Sequence, residues 1–133
     1  EAFPELARRF VLRGARSLIN ITNDASFDGS VAAEQHLSHT VLRCVENRVS
    51  IVRVANTGVS GFIAANGRVY DRVPDDPDGR PQAAIRTSGI YVPDRLAPTQ
   101  YTRHGDWMLA LPCGIFALLL SAWALFKAWL ERP

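Results

Sequence analysis

Few side chains in this chain could act as a thiol nucleophile. There are two cysteines, Cys44 and Cys113. Cys44 shares a helical stripe with Leu37, Val41 and Val45 and reads as a small buried hydrophobe. Cys113 stands between Leu111 and Ile115 in a long apolar run, where a thiolate would be poorly solvated. Neither setting suits a reactive sulfur, and the two are too unlike to predict a disulfide. The only lysine, Lys127, ends the apolar run, a snorkelling position. His36 and His39 share a helix face at i and i+3, but a third ligand is missing because His104 belongs to a distant loop, so no metal site is expected. Asn20-Ile21-Thr22 matches a glycosylation acceptor but falls in a strand pattern and is discounted.

The remaining polar candidates stand at the ends of apolar segments. Asn23 and Asp24 close one strand pattern, and Asn56, Thr57 and Gly58 close another. Sites in α/β proteins are often built at such strand ends. Local explanations stand beside this: an Asx turn for Asn23 and Asp24, and a plain turn for 56–58. Glu46 and Asn47 at a helix end read as structural contacts.

The elements that position these residues follow from periodicity. Pro4 starts a short helix with the stripe Leu6, Phe10 and Val11, ended by Gly14. Ser17–Thr22 reads as a strand. A loop from Asn23 to Ser30 supplies Asp28 and Ser30 as caps for a helix reaching about Arg48. Ser50–Ala55 is a second strand and Val59–Ala65 a third. Asn66-Gly67 signals a hairpin returning through Arg68–Val73, since both turn residues tolerate positive φ. Pro74–Pro81 is a surface loop, and Ala83–Val92 is expected to be a last strand. Apolar strands alternating with helices predict an α/β fold.

The twenty residues from Trp107 to Phe126 carry no charge. As a helix they would extend roughly 30 Å, the thickness of a bilayer core. Trp107, Trp123 and Trp129 mark its ends, and Lys127 and Arg132 follow it. With 133 residues, a first residue other than Met and a net charge of +2, the chain reads as one domain plus a span, as a fragment or processed product, and without the charge excess expected of a nucleic-acid binder.

Three segments together resemble the apolipoprotein N-acyltransferase branch of the nitrilase-like, carbon–nitrogen hydrolase superfamily. The first is Glu1-Ala2-Phe3-Pro4-Glu5. The second is Asn20-Ile21-Thr22-Asn23-Asp24-Ala25-Ser26-Phe27, continued by Gln35-His36-Leu37, Arg43, Glu46-Asn47 and Ala55-Asn56-Thr57-Gly58. The third is Thr99, Tyr101 and Gly105-Asp106-Trp107, running straight into the apolar helix. Ser26 stands where the family usually has Trp. The resemblance implies part of a nitrilase-like sheet-and-helix domain over 1–105, one transmembrane helix over 106–130 and a short tail over 131–133.

It also implies a two-step acyl transfer. A cysteine takes a fatty acyl chain from a phospholipid donor as a thioester and passes it to the amine of a diacylglyceryl-modified apolipoprotein acceptor. A glutamate serves as base and a lysine steadies the oxyanion. That chemistry calls for a membrane, with no cofactor, no metal and no nucleic acid. On this reading the cysteine, base and lysine precede Glu1. Glu1 matches a supporting carboxylate beside the nucleophile, and Asn23, Asp24, Phe27, Asn56, Thr57 and Gly58 become candidate substrate-binding residues. The implied location is the bacterial inner membrane, with the α/β part outside and the C-terminus in the cytoplasm. An amidase of the same fold, or a membrane scaffold without chemistry, are the rival readings.

Overall fold

The computed structural model describes residues 3–27, 31–73 and 83–131. Glu1, the caps expected at Asp28 and Ser30, the loop Pro74–Pro81 and Arg132 lie outside them.

Helix α1 (Pro4–Leu12) begins with proline, whose fixed φ suits a first turn. Gly14 ends it at φ 97°. The Gly14 and Ala15 amides close back on Val11 and Phe10 oxygens at 2.9 and 3.0 Å, a left-handed helix stop. Strand β1 (Ser17–Thr22) follows, then a 3-10 turn over Ala25–Phe27 and helix α2 (Val31–Asn47). Arg48 leaves α2 in the left-handed region at φ 53°, a place usually held by glycine. The Val49 amide there reaches the Cys44 oxygen at 3.3 Å.

Strand β2 (Ser50–Ala55) lies parallel to β1, in register from Ser17 opposite Ser50 to Thr22 opposite Ala55. β1, α2 and β2 therefore form one βαβ unit, and both strands end on the same edge. Strands β3 (Gly61–Ile63) and β4 (Val69–Tyr70) add antiparallel, giving the order β1-β2-β3-β4. The core under α2 is Leu37, Cys44, Ile51 and Ile63, with Leu18, Val41, Val59 and Val69 against it. Val45, expected on the same stripe, stays half exposed; Thr40, Arg43 and Asn47 are buried instead. On the opposite face of the sheet Ile19 and Ile21 of β1 are 73% and 80% exposed.

Two strand expectations shorten and one fails. Val59–Ala65 pairs only over β3, because Ala64 and Gly67 are used by the turn, with Gly67 at φ 87°. Arg68–Val73 pairs over β4 and is interrupted at Asp71, left-handed at φ 45°; one further bond follows, Val73 N–H to the Ser60 oxygen at 3.0 Å. Ala83–Val92 forms no strand. It has no regular structure and is held by side chains, with Tyr70 Oη donating to the Gly89 oxygen at 2.8 Å and Ser50 Oγ to the Tyr91 oxygen at 2.9 Å. Ile85 is 97% exposed, so apolar composition there finds no neighbour to pair with among the described residues.

Helix α3 (Gln100–His104) turns the chain into α4 (Trp107–Leu130). The 21 residues Trp107–Lys127 are long and apolar enough to cross a membrane, and the other described residues bury none of that window. Pro112 sits in its second turn, and Ser121 Oγ returns its proton to the Ala117 oxygen at 2.8 Å, leaving no bare hydroxyl in the apolar stretch.

Candidate functional site

Parallel pairing brings the C-terminal ends of β1 and β2 side by side, so the segments after Thr22 and Ala55 meet. Asn56 Nδ2 donates to Asn23 Oδ1 at 2.7 Å, and the Asp24 amide donates to Asn56 Oδ1 at 2.9 Å. Asn23 Oδ1 also accepts from the Ala25 amide at 3.1 Å, an Asx turn. Asn56 Oδ1 accepts the Thr57 amide at 2.9 Å. The turn reading and the cluster are therefore both present in the geometry. Gly58 passes so close that a Cβ there would lie 2.1 Å from Asp24 Oδ2. Phe27 stacks edge-on to His36, ring centroids 5.2 Å apart. The structure thus gathers Asn23, Asp24, Phe27, Asn56, Thr57 and Gly58 at one edge, with Asn23 and Asn56 exposed and Asp24 buried.

Beneath this rim is a residue the sequence reading passed over. Arg53 lies on β2 in phase with Ile51, pointing toward α2, and its side chain is fully buried, as is that of Asp24. Arg53 Nη2 donates to Asp24 Oδ2 at 2.7 Å. Nη1 donates to Asn20 Oδ1 at 2.9 Å and Thr40 Oγ1 at 2.8 Å, and Nε to the Val59 oxygen at 3.1 Å. A buried ion pair is tolerable only when its remaining donors and acceptors are satisfied, and here the planar guanidinium matches acceptors from β1, α2 and the segment before β3. Asp24 Oδ1 takes a hydrogen bond from His36 at 2.7 Å and one from Thr22 Oγ1 at 3.2 Å. A carboxylate only accepts, so His36 Nδ1 carries the hydrogen. The available signal was a lone charge at an inward phase of an apolar strand, Ser-Ile-Val-Arg-Val-Ala. Spacing alone offers His36 only as half of a metal pair with His39; among the described residues no three His, Cys, Asp or Glu side chains converge.

Neither cysteine bonds to this cluster in the geometry described. Cys44 is fully buried in the core, and burial pushes its thiol up to about 12. Cys113 is on α4, in the apolar window. Glu46 and Asn47 serve helix packing: Glu46 pairs with Arg43 at 2.6 Å, and Asn47 accepts from Thr102 Oγ1 at 3.0 Å. A cleft of about 480 Å³ opens between α1 and β1, with Phe3, Leu6, Phe10 and Ile51 on its apolar wall. Asn20 and Thr40, both bonded to Arg53, also line it. The described residues thus form a polar rim on a buried ionic base, beside an apolar cleft.

A carbon–nitrogen hydrolase profile matches residues 1–92. Among curated proteins, the chain is 40% identical to the apolipoprotein N-acyltransferase of Geobacter metallireducens over 92% of its own length and 22% of the relative's. It is 36% identical to that of Thermotoga maritima, covering 82% of this chain and 20% of the relative. It is 38% identical to apolipoprotein N-acyltransferase 1 of Treponema denticola, over 99% of this chain and 23% of that protein. The chain spans about a fifth of the length of these relatives. With more than half of its residues matched by that profile, the chain belongs to the carbon–nitrogen hydrolase family.

Proposed function

We propose that this chain is the C-terminal part of a membrane N-acyltransferase that moves a fatty acyl chain from a phospholipid to the N-terminal cysteine amine of a diacylglyceryl-modified lipoprotein. One observation carries the reading. Similarity to the acyltransferases continues beyond residue 92, where the family match ends, through the Gly105-Asp106-Trp107 junction and along the apolar helix. An amidase acting on small soluble amides would need neither the junction nor the helix. A scaffold without chemistry would keep both.

The thioester would form on a cysteine preceding Glu1, since a working thiolate needs a polar or electropositive setting. Glu1 is assigned as a carboxylate beside that nucleophile. Asn23 and Asn56 offer exposed amides at the strand ends, where an incoming polar head or peptide could be held. Asp24, Phe27, Thr57 and Gly58 keep that rim in place.

The full-length protein in bilayers tests this. Transfer of a labelled acyl chain from phospholipid to a diacylglyceryl lipopeptide supports the proposal. Hydrolysis of small amides without transfer favours the amidase, and neither activity favours the scaffold.

The membrane is assigned as the bacterial inner membrane, with the α/β part outside and the C-terminus in the cytoplasm. Lys127 and Arg132 follow the span, and positive residues near a short tail favour the cytoplasmic side. A reporter active only after export, fused behind Pro133, should be silent; activity there would reverse the orientation.

A further inference from the structure

α1, α2 and the start of the membrane helix meet at one point, and the contacts there are specific. Thr99 caps α3, accepting from the Thr102 amide at 2.9 Å and donating to the Glu46 oxygen at 2.5 Å. Thr102, fully buried, donates to Asn47 Oδ1 at 3.0 Å. The C-terminal end of α2 is thereby tied to α3. From the other side comes Arg8 of α1. Its Nη1 donates to the Thr102 oxygen at 2.9 Å and the Arg103 oxygen at 3.3 Å. Nε and Nη2 grip both carboxylate oxygens of Glu5 at 2.8 and 2.9 Å. The Arg8 side chain as a whole is 17% exposed.

The last carbonyls of a helix lack intrahelical partners and carry partial negative charge, so a cation there is favoured. Gly105, the next residue along, sits at φ 60° and ψ −147°, a region open essentially to glycine. A Cβ there would stand 3.3 Å from Arg8 Nε. Two residues later α4 begins. Glycine therefore answers both the backbone turn and the close approach of the arginine.

We propose that Arg8 is a positioning residue: it clamps α1 to the turn where the membrane helix starts and so fixes the α/β domain's height and tilt over the bilayer. Its role in lipid use rests on the acyltransferase reading, in which α1 directly follows the nucleophile. A nucleophile held at a set height meets the ester carbonyl of a bilayer phospholipid, which cannot rise to it. A soluble ester can approach in any pose. Lysine cannot reproduce the clamp, because its single ammonium cannot fork between the carbonyls and Glu5.

The test uses the full-length protein in bilayers, as wild type, Arg8→Ala and Arg8→Lys. Amide hydrogen exchange over 99–109 should speed up about tenfold in Arg8→Ala, the size expected from losing charge-assisted hydrogen bonds. Exchange over 37–55 should stay unchanged. In parallel, the rate of acyl-thioester formation from bilayer phospholipid, divided by the rate from a soluble aryl ester, should fall about tenfold, as for a misplaced reacting group. Arg8→Lys should lie between wild type and alanine in both. Unchanged exchange over 99–109, or equal acceleration over both segments, overturns the clamp. Selective loosening with an unchanged donor ratio overturns its positioning role. Should the wild type use neither donor, the acyltransferase reading fails while the exchange result still decides the clamp.

Discussion

The two ends of α2 are fastened by different chemistry. At the N-terminal end His36 joins the buried pair of Asp24 and Arg53, which binds β1, β2 and the rim residues into one ionic knot. At the C-terminal end Glu46 and Asn47 meet Thr99 and Thr102 through neutral hydrogen bonds, with backbone carbonyl and side-chain amide as acceptors. The knot faces the candidate site and the neutral seam faces the membrane junction. An ion pair out of water has few alternative arrangements, because every misplacement leaves a charge unpaired. That suits a rim whose residues must stay in register. The neutral bonds join α2 to α3, and the forked Arg8 side chain holds the same turn from α1.

The contrast breaks hardest at the knot. Asp24→Ala should destabilise the full-length protein by about 3–5 kcal/mol, because Arg53 is left as an uncompensated buried cation. Combining Asp24→Leu with Arg53→Met should cost less than Asp24→Ala alone, since no bare charge remains. Thermal unfolding in detergent compares them. Equal losses for the double variant and the single would mean that the ionic pairing is not what holds the rim.

At the seam a smaller effect is expected. Thr102→Val keeps the shape and removes one hydroxyl, so about 1–2 kcal/mol should be lost, in part because Asn47 Oδ1 loses its donor. A loss as large as that of Asp24→Ala would erase the distinction between the two ends.

How much of this was legible beforehand follows from what sequence patterns encode. β1 and β2 were read with their observed bounds because their apolar runs are flanked by Gly14, Asn23, Arg48 and Asn56. The Asn66-Gly67 hairpin is legible from glycine's tolerance of positive φ, which Gly67 adopts and Asn66 does not. The meeting of 23–24 with 56–58 depends on parallel pairing, a long-range property that local pattern does not state. Arg53 was missed because an arginine in a strand reads locally as a solvent-facing residue; only the register that places it under Thr40 and beside Asp24 reveals its partners. The failed strand at Ala83–Val92 shows the converse. Its composition suits a sheet, yet strands exist only where a neighbour offers a ladder. Ser26, in place of the usual Trp, is exposed in the 3-10 turn, and nothing in the structure explains the change.

The finest effect concerns Cys44, between the two ends. Its thiol ordinarily titrates near 9, and burial raises it to about 12 in the folded chain. Above pH 9 the unfolded state gives up this proton while the folded state keeps it. The unfolded state then binds fewer protons, so stability falls as pH rises, by at most about 1.4 kcal/mol per unit. Tyr101, also raised by burial, adds its own share only above its ordinary value of 10. Between pH 9 and 10 the share owed to Cys44 is the part of the slope that Cys44→Ala removes. Cys44→Ala should flatten the slope there, and an unchanged slope would mean the thiol is not shielded.

The same shielding bears on the central proposal, that the acyl chain is carried by a cysteine outside this segment. Its most direct test is to trap the thioester in the full-length protein after brief exposure to phospholipid and to map the modified residue by mass spectrometry. An acyl chain is expected on a cysteine preceding Glu1, with Cys44 and Cys113 unmodified. An acyl chain on either of these two would contradict it.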